Sequence, residues 1–184
     1  MTVAFYRFGG GGSLPAESCL DPLHRWRLWT PMQGGIVPIG LPLWPFIIWT
    51  GMHHLRLFAN REYGVFLIYR GERLLHRSGV FPRYQRFPFM AKDDLQIGDV
   101  WTDPASRHRG LASFAIQQIL CAKAKPGRSI WYVVESANLP SVRIVEKLGF
   151  RRVGFGTRCR RPGLGFLDRF VMDQCETSSS APCA

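Results

Sequence analysis

The sequence has few acidic residues, few cysteines and no long uninterrupted apolar run. Its 184 residues include 13 Asp and Glu against 24 Lys and Arg, which gives a formal net charge of +11 and a pI near 10.1. So large a positive excess predicts an anionic ligand or surface. The length and the 46% hydrophobic content suffice for one domain with a full core.

The cysteine pattern indicates the redox state of the protein's compartment. The five cysteines form no C-x-x-C pair, and the N-terminus lacks the features of a cleavable signal peptide, so we expect a reducing, cytoplasmic environment and structural rather than catalytic thiols. The most apolar segment, residues 36–52, is interrupted by Pro38, Pro42 and Pro45. Because a membrane-spanning helix needs about 20 apolar residues without such breaks, we expect no transmembrane helix there.

The middle of the chain predicts an anion-binding turn. A strand-like run at 95–101 is followed by a basic turn, 107–112, which opens a helix whose apolar residues recur every three or four positions. The first turn of a helix offers unpaired N–H groups and the positive end of the helix dipole, and Gly110 lets a ligand approach the backbone closely. By itself, this R-x-x-G-x-A pattern fits an exposed basic turn equally well.

A second motif follows an apolar run at 129–134. It begins with N-x-x-S at Asn138 and ends with E-K-x-G-F at Phe150. Together with R-x-x-G-x-A at 107–112, it resembles the two signatures of the GNAT superfamily of acyl-CoA-dependent N-acyltransferases, in the same order. The resemblance covers residues 62–173, whereas the first 60 residues fit it only loosely.

The resemblance implies an α/β (α+β) fold with a mixed, mostly antiparallel sheet of six or seven strands and flanking helices. The helices would lie at 107–124 and 139–148, around a splayed parallel pair of strands at 94–101 and 129–135. This arrangement places one strand–helix–strand crossover among hairpins.

The chain is expected to form one GNAT-like domain over residues 1–175. Residues 1–60 would be an aromatic-rich segment on the acceptor side, residues 61–173 the core, and the polar tail 176–184 disordered. Local patterns predict an edge strand at 2–8, a helix at 45–60, a hairpin of strands at 63–69 and 74–81, and a closing antiparallel pair at 150–157 and 165–172.

The resemblance also implies a site for acetyl-CoA or another acyl-CoA. The pantetheine arm would pair with the edge of the fourth strand, the pyrophosphate would lie on the N–H groups of the basic turn, and Val100 N–H would stabilise the oxyanion. The implied cofactor-binding residues are Val100, Trp101, Thr102, Arg107, His108, Arg109, Gly110, Leu111, Ala112, Ser113, Asn138 and Ser141. We assign no metal, because the adjacent His53 and His54 point about 100° apart on a helix and no third ligand is evident.

Two positions depart from the family pattern. Gln96 stands where many members have a glutamate base, and Val145 where many have a tyrosine acid. Substitute bases are His76, Asp99 and Glu135, and a neutral imidazole of pKa about 6.5 would suit a base near neutrality. Each also has a structural interpretation, as a hydrogen-bonded sheet histidine or a paired surface carboxylate.

The predicted function is transfer of an acetyl or longer acyl group from CoA to a primary amine of a small molecule, an amino sugar or a peptide. The alternatives are a long-chain acyltransferase that uses acyl carrier protein or acyl-CoA, and a non-catalytic CoA- or RNA-binding module. The positive charge suits an anionic acceptor, an acyl carrier protein or a membrane surface, and a homodimer is allowed. The loop at 82–94 mixes arginines with aromatics, but a lid over the ligands is preferred to nucleic-acid binding there.

Overall fold

The structure is a computed structural model that describes residues 2–9, 20–32, 38–159 and 169–173. The strands are β1 (Thr2–Gly9), β2 (His24–Trp29), β3 (Gly64–Arg70), β4 (Arg73–Pro82), β5 (Leu95–Thr102), β6 (Ser129–Glu135), β7 (Arg151–Cys159) and β8 (Arg169–Met172). The helices are α1 (Leu43–His54), α2 (Leu111–Lys123) and α3 (Leu139–Lys147), with one 3₁₀ turn at Pro104–Ser106. None of these described helices combines the length and apolar content needed to cross a membrane.

The eight described strands form one sheet in the order β2-β3-β4-β5-β6-β1-β7-β8. All neighbours are antiparallel except β5 and β6, which run parallel. The mixed, mostly antiparallel sheet and its parallel pair confirm the predicted fold, with one strand more than the six or seven expected. The additional strand is β2, whose alternating arginines and tryptophans cover the edge of the sheet beside β3.

The position of β1 differs from the prediction of an edge strand. β1 lies inside the sheet, between β6 and β7. Val3 and Phe5 are buried on one face, while Ala4, Tyr6 and Phe8 are buried on the other. A strand buried on both faces is a continuous apolar run rather than a strict alternation, and this explains the loose pattern of the sequence.

The sheet has two unlike faces. On what we call the α2 face, apolar side chains of α2 and α3 pack against Phe66 and Ile68 of β3, Val80 of β4 and Ile97 of β5. On the opposite α1 face, Phe46 of α1 packs with residues that alternate with those, such as Val65 and Leu67 of β3 and Phe81 of β4. Successive side chains of a strand point to opposite faces, so β3 serves both cores.

The helix boundaries follow local signals. α2 begins at Leu111 because Gly110 adopts a left-handed conformation (φ 75°) that breaks the preceding turn, so the helix predicted at 107–124 starts four residues later. Asn138 caps α3 by accepting a hydrogen bond from Ser141 N at 3.3 Å, and Gly149 (φ 85°) follows its end. α1 ends at His54 rather than residue 60, because Arg56 adopts φ 57°.

The closing pair is confirmed as the antiparallel β7 and β8. β7 extends two residues beyond the predicted strand, to Cys159. The predicted start of the last strand at 165 and the tail at 176–184 lie outside the described residues.

Candidate functional site

A cleft opens where the parallel strands part. β5 and β6 pair only from Leu95 to Ile97. Beyond that point β5 continues beside β4 as far as Thr102, while β6 continues beside β1 as far as Glu135. The splayed parallel pair expected from the family resemblance is therefore present, and the free edge of β5 faces the gap.

A bulge in β5 shapes this edge. Gly98 lies opposite Gly79 and Trp101 opposite Arg77, so Asp99 and Val100 together oppose one residue of β4. Asp99 adopts a left-handed conformation (φ 47°), which is uncommon for a residue other than glycine. A bulge of this kind bends the strand and redirects the following residues. Val100 consequently has no register partner in the described strand ladders, at the level where β5 and β6 have parted.

The residues predicted to bind the cofactor line one cleft. The cleft has a volume of about 740 Å³ and is walled by the end of β5, the start of α2 and the start of α3. All of the predicted cofactor residues except Arg109 line it. The cleft lining also includes four residues that the sequence did not single out: Ser106, Pro140, Arg143 and Ile144.

The anion-binding end of the cleft is the start of α2. Phe114 N donates to Gly110 O at 2.9 Å as the first hydrogen bond of the helix, which leaves the N–H groups of 111–113 without intrahelical partners. An added Cβ at Gly110 would meet nothing within 4 Å, so the space in front of these groups is open. Arg107 and His108 add basic side chains to the same wall. Phosphate groups suit such a helix start.

A buried carboxylate holds the turn in front of α2. Asp103 accepts hydrogen bonds from Ser106 Oγ at 2.9 Å and from Arg73 Nη2 at 3.1 Å, and its own N–H donates to Leu75 O at 2.8 Å. The Ser106 hydroxyl and the Arg73 guanidinium lower the pKa of Asp103. The negative charge is thus neutralised within the turn, which keeps it from opposing an anion in the cleft.

His76 lies on the α2 face as a fully hydrogen-bonded sheet residue. Its Nδ1 is 2.8 Å from Thr102 Oγ1, its Nε2 is 2.8 Å from Ser78 Oγ, and its side chain is buried. Burial, helped by the nearby Arg77 charge, lowers the pKa of His76 to about 3. The imidazole is therefore neutral at physiological pH and weakly basic.

Asp99 and Glu135 lie on opposite sides of the gap. Asp99 projects to the α1 face, where its carboxylate binds Arg77 Nε at 2.9 Å. Glu135 is exposed at the end of β6, where that strand pairs with β1. The structure thus places Asp99 beside Val100 and Glu135 across the gap on β6, and it leaves His76 on the other face from Asp99.

Gln96 and Val145, the two departures from the family pattern, are both buried. Gln96 lies on the α1 face, where its Nε2 would be 3.2 Å from a Cβ added at Gly98. Val145 is part of the α2-face core and does not reach the cleft. Neither position therefore supplies a proton-transfer group.

A residue missed by sequence reasoning is Tyr63, at the entry to β3. Its hydroxyl is buried on the α1 face and forms no hydrogen bond with the described residues. Burial, and secondarily the charge of Asp99, raises the pKa of Tyr63. The Thr50 hydroxyl is close enough to influence this pKa, yet neither hydroxyl completes a hydrogen bond. No sequence signal marks Tyr63, because only the pairing of β3 with β4 and of β4 with β5 brings it near Asp99.

Known proteins share features of this sequence and fold. Residues 41–150 match the model of the acetyltransferase (GNAT) family. The fold is similar to those of a GNAT-family protein from Novosphingobium aromaticivorans (TM-score 0.51, 18% identity), one from Colwellia psychrerythraea (0.51, 17%) and a tandem GNAT protein of the clavulanic acid biosynthesis pathway (0.52, 11%). These alignments cover 84%, 82% and 82% of this chain, but only 62%, 52% and 50% of those chains. No curated protein matches the sequence.

Proposed function

We propose that this chain, which belongs to the GNAT acetyltransferase family, transfers an acetyl or longer acyl group from acyl-CoA to a primary amine. The observation that carries the proposal is the cleft beside the splayed strands, which gathers nearly all of the residues expected to hold CoA. The acceptor would be a small molecule, an amino sugar or a peptide.

CoA is a substrate that these residues fit. Its pyrophosphate would accept hydrogen bonds from the N–H groups at the start of α2, beside Arg107, in the space left open by Gly110. Its pantetheine arm would extend along the free edge of β5 at 100–102, with Asn138 and Ser141 on the opposite wall. Extended polar chains pair with an unpaired strand edge in this way.

The reaction forms a C–N bond, breaks the thioester C–S bond and removes one proton from the amine. Val100 N–H, at the bulge beside the gap, would donate to the carbonyl oxygen as negative charge develops there. The leaving thiolate takes up a proton, so the reaction is balanced by transfer of the amine proton to a base or to water.

We favour Asp99 or Glu135 over His76 as the base. An amine attacking at Val100 would approach across the gap from the α1 face, because the start of α2 occupies the other side of the cleft. Asp99 projects to the α1 face next to Val100, and Glu135 ends β6 across the gap. His76 has both ring nitrogens engaged, and its low pKa makes it a poor proton acceptor.

The α1 face would also form the wall of the acceptor site. Trp49, Phe81 and Trp101 contribute aromatic surface around the Arg77–Asp99 pair, with the Arg77 guanidinium 5.3 Å from the centre of the Trp101 ring. Such a wall suits an acceptor with apolar or aromatic parts beside its amine. This wall does not restrict the length of the acyl chain. A long-chain acyl group carried by an acyl carrier protein is therefore an alternative donor.

The deciding experiment is a glycine substitution with a matched control. Gly110→Glu places bulk and negative charge where the pyrophosphate would bind, so acetyl-CoA binding measured by calorimetry should be abolished. Gly127→Glu is the control, because Gly127 has a similar left-handed conformation (φ 79°) with nothing within 4 Å of an added Cβ and does not line the cleft. Both variants should lose similar stability, whereas only Gly110→Glu should lose binding. Undiminished binding by a folded Gly110→Glu variant would contradict the proposed CoA site.

The second candidate function is a non-catalytic CoA-binding module. Gln96 and Val145 favour it, because neither can act as the usual acid or base. Release of free thiol from acetyl-CoA in the presence of a panel of amines separates the two functions. Binding without amine-dependent release across the panel would favour the module.

A further inference from the structure

Helix α1 presents an apolar stripe to solvent. Trp44, Ile48 and Leu55 are 74%, 51% and 73% exposed, and Leu43 and Ile47 are exposed beside them. At 100° per residue, Trp44, Ile47, Ile48 and Leu55 fall within one narrow sector of the helix surface. The helix contains no Lys, Arg, Asp or Glu. An exposed apolar patch of this size on one element is typical of an interaction surface.

The stripe is not needed to hold α1 on the sheet. The opposite side of the helix carries Phe46, Trp49 and His53, of which Phe46 and His53 are buried. Phe46 packs on Trp29 with ring centres 4.9 Å apart, and Trp49 packs on Phe81 at 4.6 Å. The outward residues therefore add apolar surface beyond what the fold uses.

A basic pocket adjoins the C-terminal end of this stripe. Arg56, Arg83, Lys92 and Arg169 line a cavity of about 530 Å³. The left-handed turn at Arg56 ends α1, and a hydrogen bond from Ala59 N to Arg83 O at 2.8 Å joins the following segment to the loop after β4. Leu57, which is 58% exposed, lines the same pocket. The apolar stripe and the basic pocket thus form one continuous surface.

The four cations of the basic pocket are not balanced within the part of the chain that the structure describes. No carboxylate belongs to the described lining of the pocket. The ion pairs between described residues involve Arg73, Arg77, Lys123, Lys125 and Arg128 instead. Like charges held together in this way favour an anion, and part of the net charge of +11 is gathered here.

We propose that the α1 stripe and the basic pocket dock the protein on an anionic lipid membrane. Trp44, Ile48 and Leu55 would enter the interfacial layer, where tryptophan is favoured, and the cations would bind lipid phosphates at the same depth. Charge complementarity selects this occupant over a second copy of the chain, because a copy would bring an equal positive charge to the contact. The docking is independent of the acyl-transfer reaction.

Vesicle cosedimentation of the full chain tests the proposal. The probes are phosphatidylcholine vesicles with and without about 30% phosphatidylglycerol, in about 0.1 M salt. Binding to the anionic vesicles should exceed binding to the neutral ones at least about tenfold. Trp44→Ser with Ile48→Ser should weaken binding to anionic vesicles roughly tenfold to hundredfold, because the apolar surface entering the bilayer is lost.

Matched controls separate this surface from general effects. Leu23→Ser removes an apolar side chain that is 63% exposed but lies outside α1, and it should leave vesicle binding unchanged. Lys92→Glu with Arg169→Glu should weaken binding by about twentyfold or more. Lys147→Glu with Arg151→Glu changes the net charge equally at exposed positions outside the basic pocket, and its effect should be several times smaller.

Three results would overturn the proposal. The first is equal partition to neutral and anionic vesicles, or none to either. The second is equal loss in the paired control variants, which would mean that the overall charge alone drives binding. The third is a dimer, detected by light scattering, that does not bind vesicles and that dissociates in the Trp44→Ser, Ile48→Ser variant. This result would make the stripe a contact between two copies of the chain. Acetyl-CoA calorimetry on the same proteins reports separately on the proposed function.

Discussion

The two faces of the sheet present different kinds of surface. On the α2 face and along the adjoining cleft, the binding groups are mostly backbone N–H groups at a strand edge and a helix start, held by Asp103 and Asn138. On the α1 face, the exposed and functional features are side chains: an aromatic wall, the Arg77–Asp99 pair and the apolar stripe of α1. The first surface suits one fixed cofactor, whereas the second would determine which acceptor and which partner the proposals above require.

This division makes substitutions on the two faces behave differently. Backbone groups survive most side-chain changes, so the CoA site should fail mainly through bulk or charge placed in the cleft. The α1 face depends on the identity of each side chain. Catalysis, the Glu62 ion cluster and the buried tyrosines each provide a test of this division.

The largest expected effect concerns the base. Replacing Asp99 or Glu135 by Ala, whichever takes the amine proton, should lower kcat/KM by roughly a hundredfold to ten-thousandfold. The other carboxylate should matter much less. The measurement is the pH–rate profile of each variant, with an acceptor whose own amine pKa is known.

His76 is the comparison from the other face. His76→Asn keeps hydrogen-bonding groups for Thr102 and Ser78, and we expect a small effect on kcat/KM. A rate limb near pH 6–7 that vanishes in this variant would assign the proton transfer to the α2 face instead. If every profile follows only the pKa of the acceptor, none of the three is the base, and catalysis rests on positioning and the Val100 donor.

An ion cluster joins the segment before β3 to the end of α2, and breaking it should have the next largest effect. Glu62, which precedes β3, accepts hydrogen bonds from Lys123 at the end of α2 and from Arg128. Glu62→Gln should lower the free energy of unfolding by about 2–4 kcal/mol, because it leaves the buried Arg128 guanidinium without its counter-charge. Chemical denaturation measures this, and Glu72→Gln, at an exposed turn, is the control.

The same cluster should be sensitive to acid. Burial would raise the pKa of Glu62, but the hydrogen bonds and charges of Arg128 and Lys123 outweigh burial and lower the pKa to about 2, from an ordinary value of 4.5. Because the folded-state pKa is the lower one, the stabilisation is present above pH 4.5 and is lost as the pH falls towards 2. In Glu62→Gln, stability should therefore fall less steeply over this range, and an unchanged slope would contradict this assignment.

The smallest expected effect compares two buried tyrosines. Tyr6 on the α2 face donates a hydrogen bond to Glu146 at 2.9 Å, so Tyr6→Phe should destabilise the fold by about 1 kcal/mol. Tyr63→Phe on the α1 face removes a buried hydroxyl that bonds to none of the described residues, and it should be neutral or slightly stabilising. A clear loss of stability in Tyr63→Phe would show that this hydroxyl has a partner.

The cleft could be predicted from the sequence because its determinants are local. The conformation of Gly110, the cap at Asn138 and the N–H groups of 111–113 all depend on residues within a few positions of one another. The parallel pair was predictable for the same reason, since one crossover helix connects its two strands. The bulge in β5 was not predictable, because an aspartate in a strand-like run gives no signal that its backbone is left-handed, as it is at Asp99.

The features that sequence reasoning missed depend on distant residues. Residues 24–29 carry two arginines and two tryptophans, and β2 becomes a strand only because the edge of β3 is there to pair with it. Tyr63 approaches Asp99 only through the pairing of β3 with β4 and of β4 with β5. The exposure of Trp44 could not be inferred either, because an aromatic helix in sequence is more often core than surface.

The internal position of β1 has a consequence for how the protein is made. β1 precedes both of its neighbours, β6 and β7, by roughly 120 residues or more, so it leaves the ribosome well before them. At the usual rate of about 5–20 residues per second, it waits on the order of 6–30 s for them. During this delay Val3, Phe5 and Phe8, all buried later, are exposed on a strand with two open edges. Newly made chains should therefore depend on chaperones until β7 emerges and the sheet closes around its first strand.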